Sequence, residues 1–247
     1  MQTQTDGLII KSRDINENDT VVKVLTGDLG LISAFANGTK RVRSRTASAA
    51  VSPMTYSHLT LYRGRDSYII DDAKAIDVFF GLREDIEKLS LANYFCELAG
   101  EFSPENTQAH EFLSLTLNLM HLLSEDRRSA EFLKPVGELR MLALAGYMPE
   151  LTGCMSCGEG LPDEPVFNVS RAGFFCRSCT PDGEGIPVTQ GVINAMRHIC
   201  TCEDRALFSF KMPESSLKLL REVTESYLIM QLGRRPKTLD FYKSIKT

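Results

Sequence analysis

Over the first 80 residues, apolar and polar positions alternate in short runs broken by turn residues, and this period of two predicts β-strands. Residues 7–12 form an apolar run, 20–26 are rich in Val and Thr, and 31–36 follow the turn Gly27-Asp28-Leu29-Gly30. Residues 57–62 alternate cleanly, and 67–71 follow the turn Arg63-Gly64-Arg65-Asp66. About five short strands in this length predict a small closed barrel, read here as an OB-fold; an SH3-like barrel fits the strand count nearly as well.

After Phe80 the apolar spacing lengthens to three and four, the period of a helix with one buried face. Ile86, Leu89, Ala92, Phe95, Leu98 and Phe102 share one such face, and Phe112, Leu115, Leu119 and Leu122 share another. A third helix is predicted over 129–145, with Phe132, Val136, Leu139 and Leu142 inward. Pro135 kinks it or delays its regular part, and Gly146 and Pro149 end it. Two more helices are predicted over 189–199 and 213–232, the second burying Leu217, Leu220, Val223 and Tyr227, with Met230 at its end. Cys96 falls inside an apolar helical pattern and reads as core. The fold class is therefore α+β: a barrel over 1–80, helices over 81–149 and 183–247, and an insertion over 150–182 that interrupts them.

That insertion carries the clearest chemistry. Cys154-x-x-Cys157 and Cys176-x-x-Cys179 are two thiol pairs separated by eighteen residues, the spacing of two knuckles that close one tetrahedral thiolate site around zinc. Gly158 gives the first knuckle the backbone freedom of a tight turn. Leu161, Val166, Phe167, Val169, Phe174 and Phe175 are too few for an independent core, so one structural zinc ion is expected to supply most of the folding energy. Two readings compete: a redox dithiol at Cys154 and Cys157, and the replacement of one pair by Cys200 and Cys202. Seven cysteines, an odd number with four in metal spacing, fit a reducing compartment. A polar N-terminus without signal-peptide regions and no long apolar run lead to the expectation of a cytoplasmic protein without membrane attachment.

The net charge of −4 argues against a nucleic-acid partner only until its distribution is considered. Residues 29–65 hold Lys40, Arg41, Arg43, Arg45, Arg63 and Arg65 and no acid, and 211–247 hold eight bases against four acids. Both basic zones flank an acidic middle. Lys40, Arg41, Arg43 and Arg45 fall on a barrel loop beside Ser44, Thr46 and Ser48, a set suited to phosphate-backbone contacts. Phe35, Tyr56, Tyr62 and Tyr68 are candidates to stack bases, or else to pack within hairpins. Enzymatic motifs are missing: Gly38-Thr39-Lys40 lacks the P-loop pattern, and His58, His110, His121 and His198 have no ligand spacing. His198 near Cys200 and Cys202 is a second metal candidate, set against the simpler reading of a helix-surface residue.

Taken in order, a basic barrel, helices, and Gly146-Tyr147-Met148-Pro149-Glu150-Leu151 running into Cys154-x-x-Cys157-Gly158 resemble the bacterial recombination mediator family RecO. Asp19-Thr20-Val21-Val22, Leu25-Thr26, Gly30, the 38–45 stretch and Leu239-Asp240-Phe241 extend the resemblance over essentially the whole chain. It implies a non-catalytic repair factor that binds single- and double-stranded DNA and anneals complementary strands. With RecR, it would help load RecA onto strands covered by single-strand-binding protein. On the same resemblance, Lys211, Lys218, Arg221, Arg234, Arg235 and Lys237 are candidates for the acidic C-terminal tail of single-strand-binding protein, or for DNA. The alternative is a zinc-containing interaction adaptor without intrinsic DNA binding.

Overall fold

The computed structural model describes residues 2–15, 19–36, 49–65, 67–160, 165–180 and 185–246. Two compact units emerge, Met1–Arg127 with Lys237–Thr247, and Arg128–Pro236.

In the first unit, five strands close into a barrel in the order β1-β2-β3-β5-β4: β1 (Gln2–Asp14), β2 (Thr20–Thr26), β3 (Gly30–Ala36), β4 (Thr55–Arg63) and β5 (Tyr68–Asp77). Closure depends on the length of β1. Its first part, Gln2 to Ile9, pairs with β4, and its second, Gly7 to Asp14, pairs with β2, with a register shift between Ile9 and Lys11. Such a bulge bends the strand and lets one element serve two neighbours. The β3–β5 contact is parallel, from Ala34 opposite Tyr68 to Ala36 opposite Ile70. Inward residues Ile9, Val22, Val24, Ile32, Leu59 and Leu61 form the barrel core. Both β1 and β5 outrun the sequence expectation. The polar start of β1 still alternates, Thr5 inward and Gln4 and Asp6 outward, but its apolar signal is too thin to register as a strand.

Helices α1 (Phe80–Arg83), α2 (Ile86–Phe102), α3 (His110–Ser124) and α7 (Lys237–Ile245) complete this unit. Asp85 caps α2 by accepting from the amides of Glu87 and Lys88. This helix is buried nearly all round, at Leu91, Tyr94, Phe95, Cys96, Leu98 and Ala99, because α3 and α7 flank it alongside the barrel. Ile86, expected on its inner face, is instead 56% exposed in the first turn. Burial pushes the Cys96 thiol up to about 12. Helix α7 is an addition to the predicted set: Leu239 and Tyr242 are buried and Glu97 accepts from the backbone and hydroxyl of Thr238.

The loop between α2 and α3 is bound to the β2–β3 turn. Leu31 N donates to Pro104 O at 2.9 Å and Ala109 N to Gly27 O at 2.8 Å. Gly30, at φ +68°, lies so close that a Cβ would collide with the carbonyls of Pro104 and Thr107.

The second unit holds α4 (Ala130–Leu144), α5 (Gln190–Thr201), α6 (Glu214–Leu232) and a four-stranded sheet in the order β6-β8-β7-β9. These strands are β6 (Glu150–Cys154), β7 (Pro165–Asn168), β8 (Gly173–Cys176) and β9 (Ile186–Pro187). Ser129 caps α4, which runs through Pro135 without ending there. On α6, Leu217, Leu220, Val223 and Tyr227 are buried as expected, whereas Met230 is 47% exposed. Between α4 and α6 lies a buried ionic cluster. Lys134 Nζ meets Glu138 at 2.7 Å and Glu225 at 2.9 Å, and Thr224 donates to Glu138 at 2.7 Å.

Candidate metal centre and basic barrel face

The sulfurs of Cys154, Cys157, Cys176 and Cys179 all lie within 4.8 Å of one another. Each knuckle follows from a strand end and a turn. Cys154 ends β6, the chain turns so that Gly158 N donates to Cys154 O at 2.9 Å, and Gly158 takes φ +71°. Cys176 ends β8 and enters the 3₁₀ turn Arg177–Cys179, where the Thr180 hydroxyl donates to Cys176 O at 2.9 Å. Parallel pairing of β6 with β8 sets Cys154 opposite Phe174 and so brings the two knuckles together.

Four thiolates about 2.3 Å from a tetrahedral ion lie about 3.8 Å apart, and Cys157 and Cys176 already stand 3.5 Å apart. Among the described residues, no carboxylate or imidazole enters the set. Burial acts to raise the Cys154 thiol, but the amides of Cys157, Cys176 and Ser156 donate toward its sulfur and together lower it to about 6. The Cys176 thiol, hydrogen-bonded to the sulfurs of Cys154, Cys157 and Cys179, is raised to about 12. Four convergent soft donors with amide support fit a metal ion, and four protein ligands leave no open coordination position. Cys200 and Cys202 stand outside this cluster. Cys200 is buried, and burial, opposed by Arg140, lifts its thiol to about 12. His198 is engaged elsewhere, with Nε2 3.0 Å from Ala206 O and its ring edge-on to Phe210.

The module's core is not its own. Phe167 and Phe174 are fully buried and meet edge-on at 5.3 Å, and Phe167 also meets Tyr227 of α6 at 5.7 Å. Arg197 of α5 donates to Leu151 O at 2.7 Å and Thr152 O at 3.1 Å. The expectation that metal supplies most of the folding energy is therefore corrected: aromatic burial against the helices shares that role. Leu161 lies outside the described residues.

Of the predicted barrel cations, Lys40, Arg41, Arg43 and Arg45 lie outside the described residues. Arg63 and Arg65 line a groove of about 280 Å³ together with Lys23, Ser33 and Tyr68. Lys23 was not singled out by sequence. The β1–β2 register sets it opposite Lys11, and the β2–β3 register opposite Ser33. One row along, Arg13 stands opposite Val21, Val21 opposite Phe35, and Phe35 opposite Ile69. Lys11, Arg13, Lys23, Ser33 and Phe35 thus share the outer face of β1–β2–β3, beside Arg63 and Arg65. Among the described residues, Lys11, Arg13 and Lys23 form no ion pair.

The C-terminal cations are arranged differently. Arg221 pairs with Glu214 at 3.2 Å and Arg235 with Glu225 at 3.8 Å. Lys211 and Lys218 are exposed on and before α6, Arg234 is exposed at its end, and Lys237 opens α7.

Comparison with known proteins adds the family. Residues 1–79 match the model of "Recombination protein O N terminal" and residues 83–240 that of "Recombination protein O C terminal". The chain belongs to the RecO family. It is 30% identical to "DNA repair protein RecO" of Acetivibrio thermocellus over 98% of this chain and 96% of the relative. RecO proteins of Alkaliphilus metalliredigens, 26% identical over 95% of both chains, and Symbiobacterium thermophilum, 27% over 98% and 97%, are similar throughout. The break between the two RecO segments falls at the junction of barrel and helices, just after β5.

Proposed function

We propose that the chain is a non-catalytic recombination mediator that binds single- and double-stranded DNA, anneals complementary strands and, with RecR, promotes RecA loading. Its family is one of DNA repair and recombination. The barrel order, with its parallel β3–β5 contact, is read as an OB-fold, whose strand 2–3 face is the habitual ligand face. The observation that carries the reading is the face itself. Lys11 and Lys23 oppose each other across a strand pair with no described carboxylate to neutralise them. Like charges set directly opposite are destabilising, and a polyanion that fills the gap would offset that cost. Cations that neutralise phosphates on two strands lower the repulsion between the strands, so annealing needs no nucleotide hydrolysis.

The four-cysteine site is read as one structural zinc, on soft thiolates and a closed tetrahedral set. Lys211 and Lys218, exposed and free of ion pairs among the described residues, are the favoured contacts for the acidic tail of single-strand-binding protein. Arg221 and Arg235 already serve carboxylates of α6. No helix among the described residues is long and apolar enough to cross a membrane, and the proposed site of action is the bacterial cytoplasm, at the nucleoid.

The test is a strand-annealing assay with complementary oligonucleotides across a salt series, with and without ATP. Annealing that falls steeply with salt and ignores ATP supports the proposal. Absence of both annealing and DNA binding at low salt refutes it and leaves the adaptor reading.

A further inference from the structure

The groove beside Arg63 and Arg65 is lined by two chemically different sets of residues. One is cationic, with Lys23 from β2, Arg63 from β4 and Arg65 from the β4–β5 turn. The other is Glu105 and Asn106 of the α2–α3 loop. That loop is held on the barrel by the Leu31–Pro104 and Ala109–Gly27 hydrogen bonds, and Glu105 itself bridges Gly30 and Leu31 through its backbone. Glu105 is exposed at this position and, among the described residues, makes no ion pair with the cations that line the same groove. An uncompensated carboxylate in a cationic groove weakens a site built for phosphate alone. It suits a ligand with an anionic end and a hydrogen-bond-donating end. The cavity, about 280 Å³, is at the small limit of ligand pockets and matches one nucleotide rather than a longer segment.

We infer that this groove is a single-nucleotide pocket of the barrel's DNA-binding face, holding a phosphate at Lys23, Arg63 and Arg65 and presenting the base edge to Glu105. The inference rests on the nucleic-acid reading above and adds base preference to it. A carboxylate is an acceptor only, with two oxygens side by side. Guanine answers it with two adjacent donors, N1–H and the N2 amino group. Cytosine and adenine offer one amino group each, and thymine a single N–H between two carbonyls that face the carboxylate unfavourably. The expected order is guanine first and thymine last, against a background of salt-dependent, sequence-independent backbone binding.

The test measures equilibrium binding of the full-length protein to alternating dG-dT, alternating dC-dT and all-dT oligonucleotides of about 16 nucleotides. The same series is repeated with Glu105→Gln and with Arg63→Ala/Arg65→Ala. A preference of about tenfold for dG-dT over all-dT in the native chain, lost in Glu105→Gln, is expected, because a bidentate base contact discriminates by about that factor. The arginine variant should weaken all three ligands alike. Equal binding of the three by the native chain, or a guanine preference that survives in Glu105→Gln, overturns the pocket while leaving DNA binding intact. Failure to bind any of the three at low salt overturns the nucleic-acid reading and the pocket with it, so the two failures are told apart. Glu105 is exposed and holds its loop through the backbone, so the substitution leaves the fold in place.

Discussion

Replacing Lys11 with Gln should move stability and DNA affinity in opposite directions. Antiparallel register places Lys11 directly opposite Lys23, a geometry in which facing Cβ atoms stand about 5 Å apart and like charges cost on the order of 0.2–1 kcal/mol. Removing one charge should therefore stabilise the barrel by about 0.5 kcal/mol at low ionic strength, and the gain should shrink as salt screens the pair. On the proposed DNA-binding face the same change would remove a phosphate contact. The described face offers five cations, Lys11, Arg13, Lys23, Arg63 and Arg65. At about 0.7 of logarithmic salt slope per contact on a single strand, they contribute a slope of roughly −3.5 when all are engaged. Lys11→Gln should soften the slope by about 0.7 and Lys11→Gln/Lys23→Gln by about 1.4. Hydrogen exchange of β1 and β2 amides reads the stability, and fluorescence anisotropy of a labelled single strand between about 50 and 200 mM salt reads the slope. A variant that loses stability, or one that binds with an unchanged slope, refutes the account of this face.

In the second unit, Lys134→Met strands Glu138, which is fully buried, and should cost about 3–5 kcal/mol, with Lys134→Met/Glu138→Leu recovering much of the loss in urea unfolding. The Lys134 ammonium is disfavoured by burial, but Glu138 and Glu225 outweigh this and hold its pKa above the ordinary lysine value. The stability it contributes is thus fully present below about pH 10.4, and should be lost as pH rises through the elevated folded value. An alkaline denaturation series that shows no difference between native and Lys134→Met chains would contradict this. Phe167→Ala should cost about 3–5 kcal/mol and weaken retention of the proposed metal, because it removes the ring that meets both Phe174 and Tyr227; competition with a chromophoric chelator measures the second effect. Stripping the proposed metal outright should raise hydrogen exchange across β6 and β8, since an ion held by the four cysteines would join two knuckles that end those strands. Removing residues 237–247 should destabilise the barrel-containing unit by several kcal/mol through the loss of buried Leu239 and Tyr242, each worth about 1.5–3 kcal/mol, as thermal unfolding would register.

What could be read in the sequence and what could not divide along a physical line. Strands and helices with dense apolar periodicity, such as β2 and α6, were legible because their burial pattern is written in consecutive residues. The metal cluster was legible because each knuckle is a local turn and two matching turns imply one ion. Helix α7 was not: in nine residues it buries only Leu239 and Tyr242, and its anchor, Glu97, lies on α2, far away in sequence. That the four-cysteine module lacks a core of its own was legible, but the residue that completes it was not, since Tyr227 is contributed by α6.

The barrel face is the most instructive case. Lys11, Arg13 and Lys23 belong to the first 28 residues, where acids outnumber bases, so any window of sequence charge discounts them. Folding separates what the window averages. The register of β1 on β2 turns Lys11, Arg13 and Lys23 to one side and sets Asp14 at the strand's far end opposite Thr20, whose hydroxyl donates to it at 3.0 Å. A one-residue slip would turn the same lysines inward, and the bulge between Ile9 and Lys11 is what fixes the register that keeps them out. An acidic chain therefore presents a basic surface because strand pairing, not composition, decides which charges become neighbours.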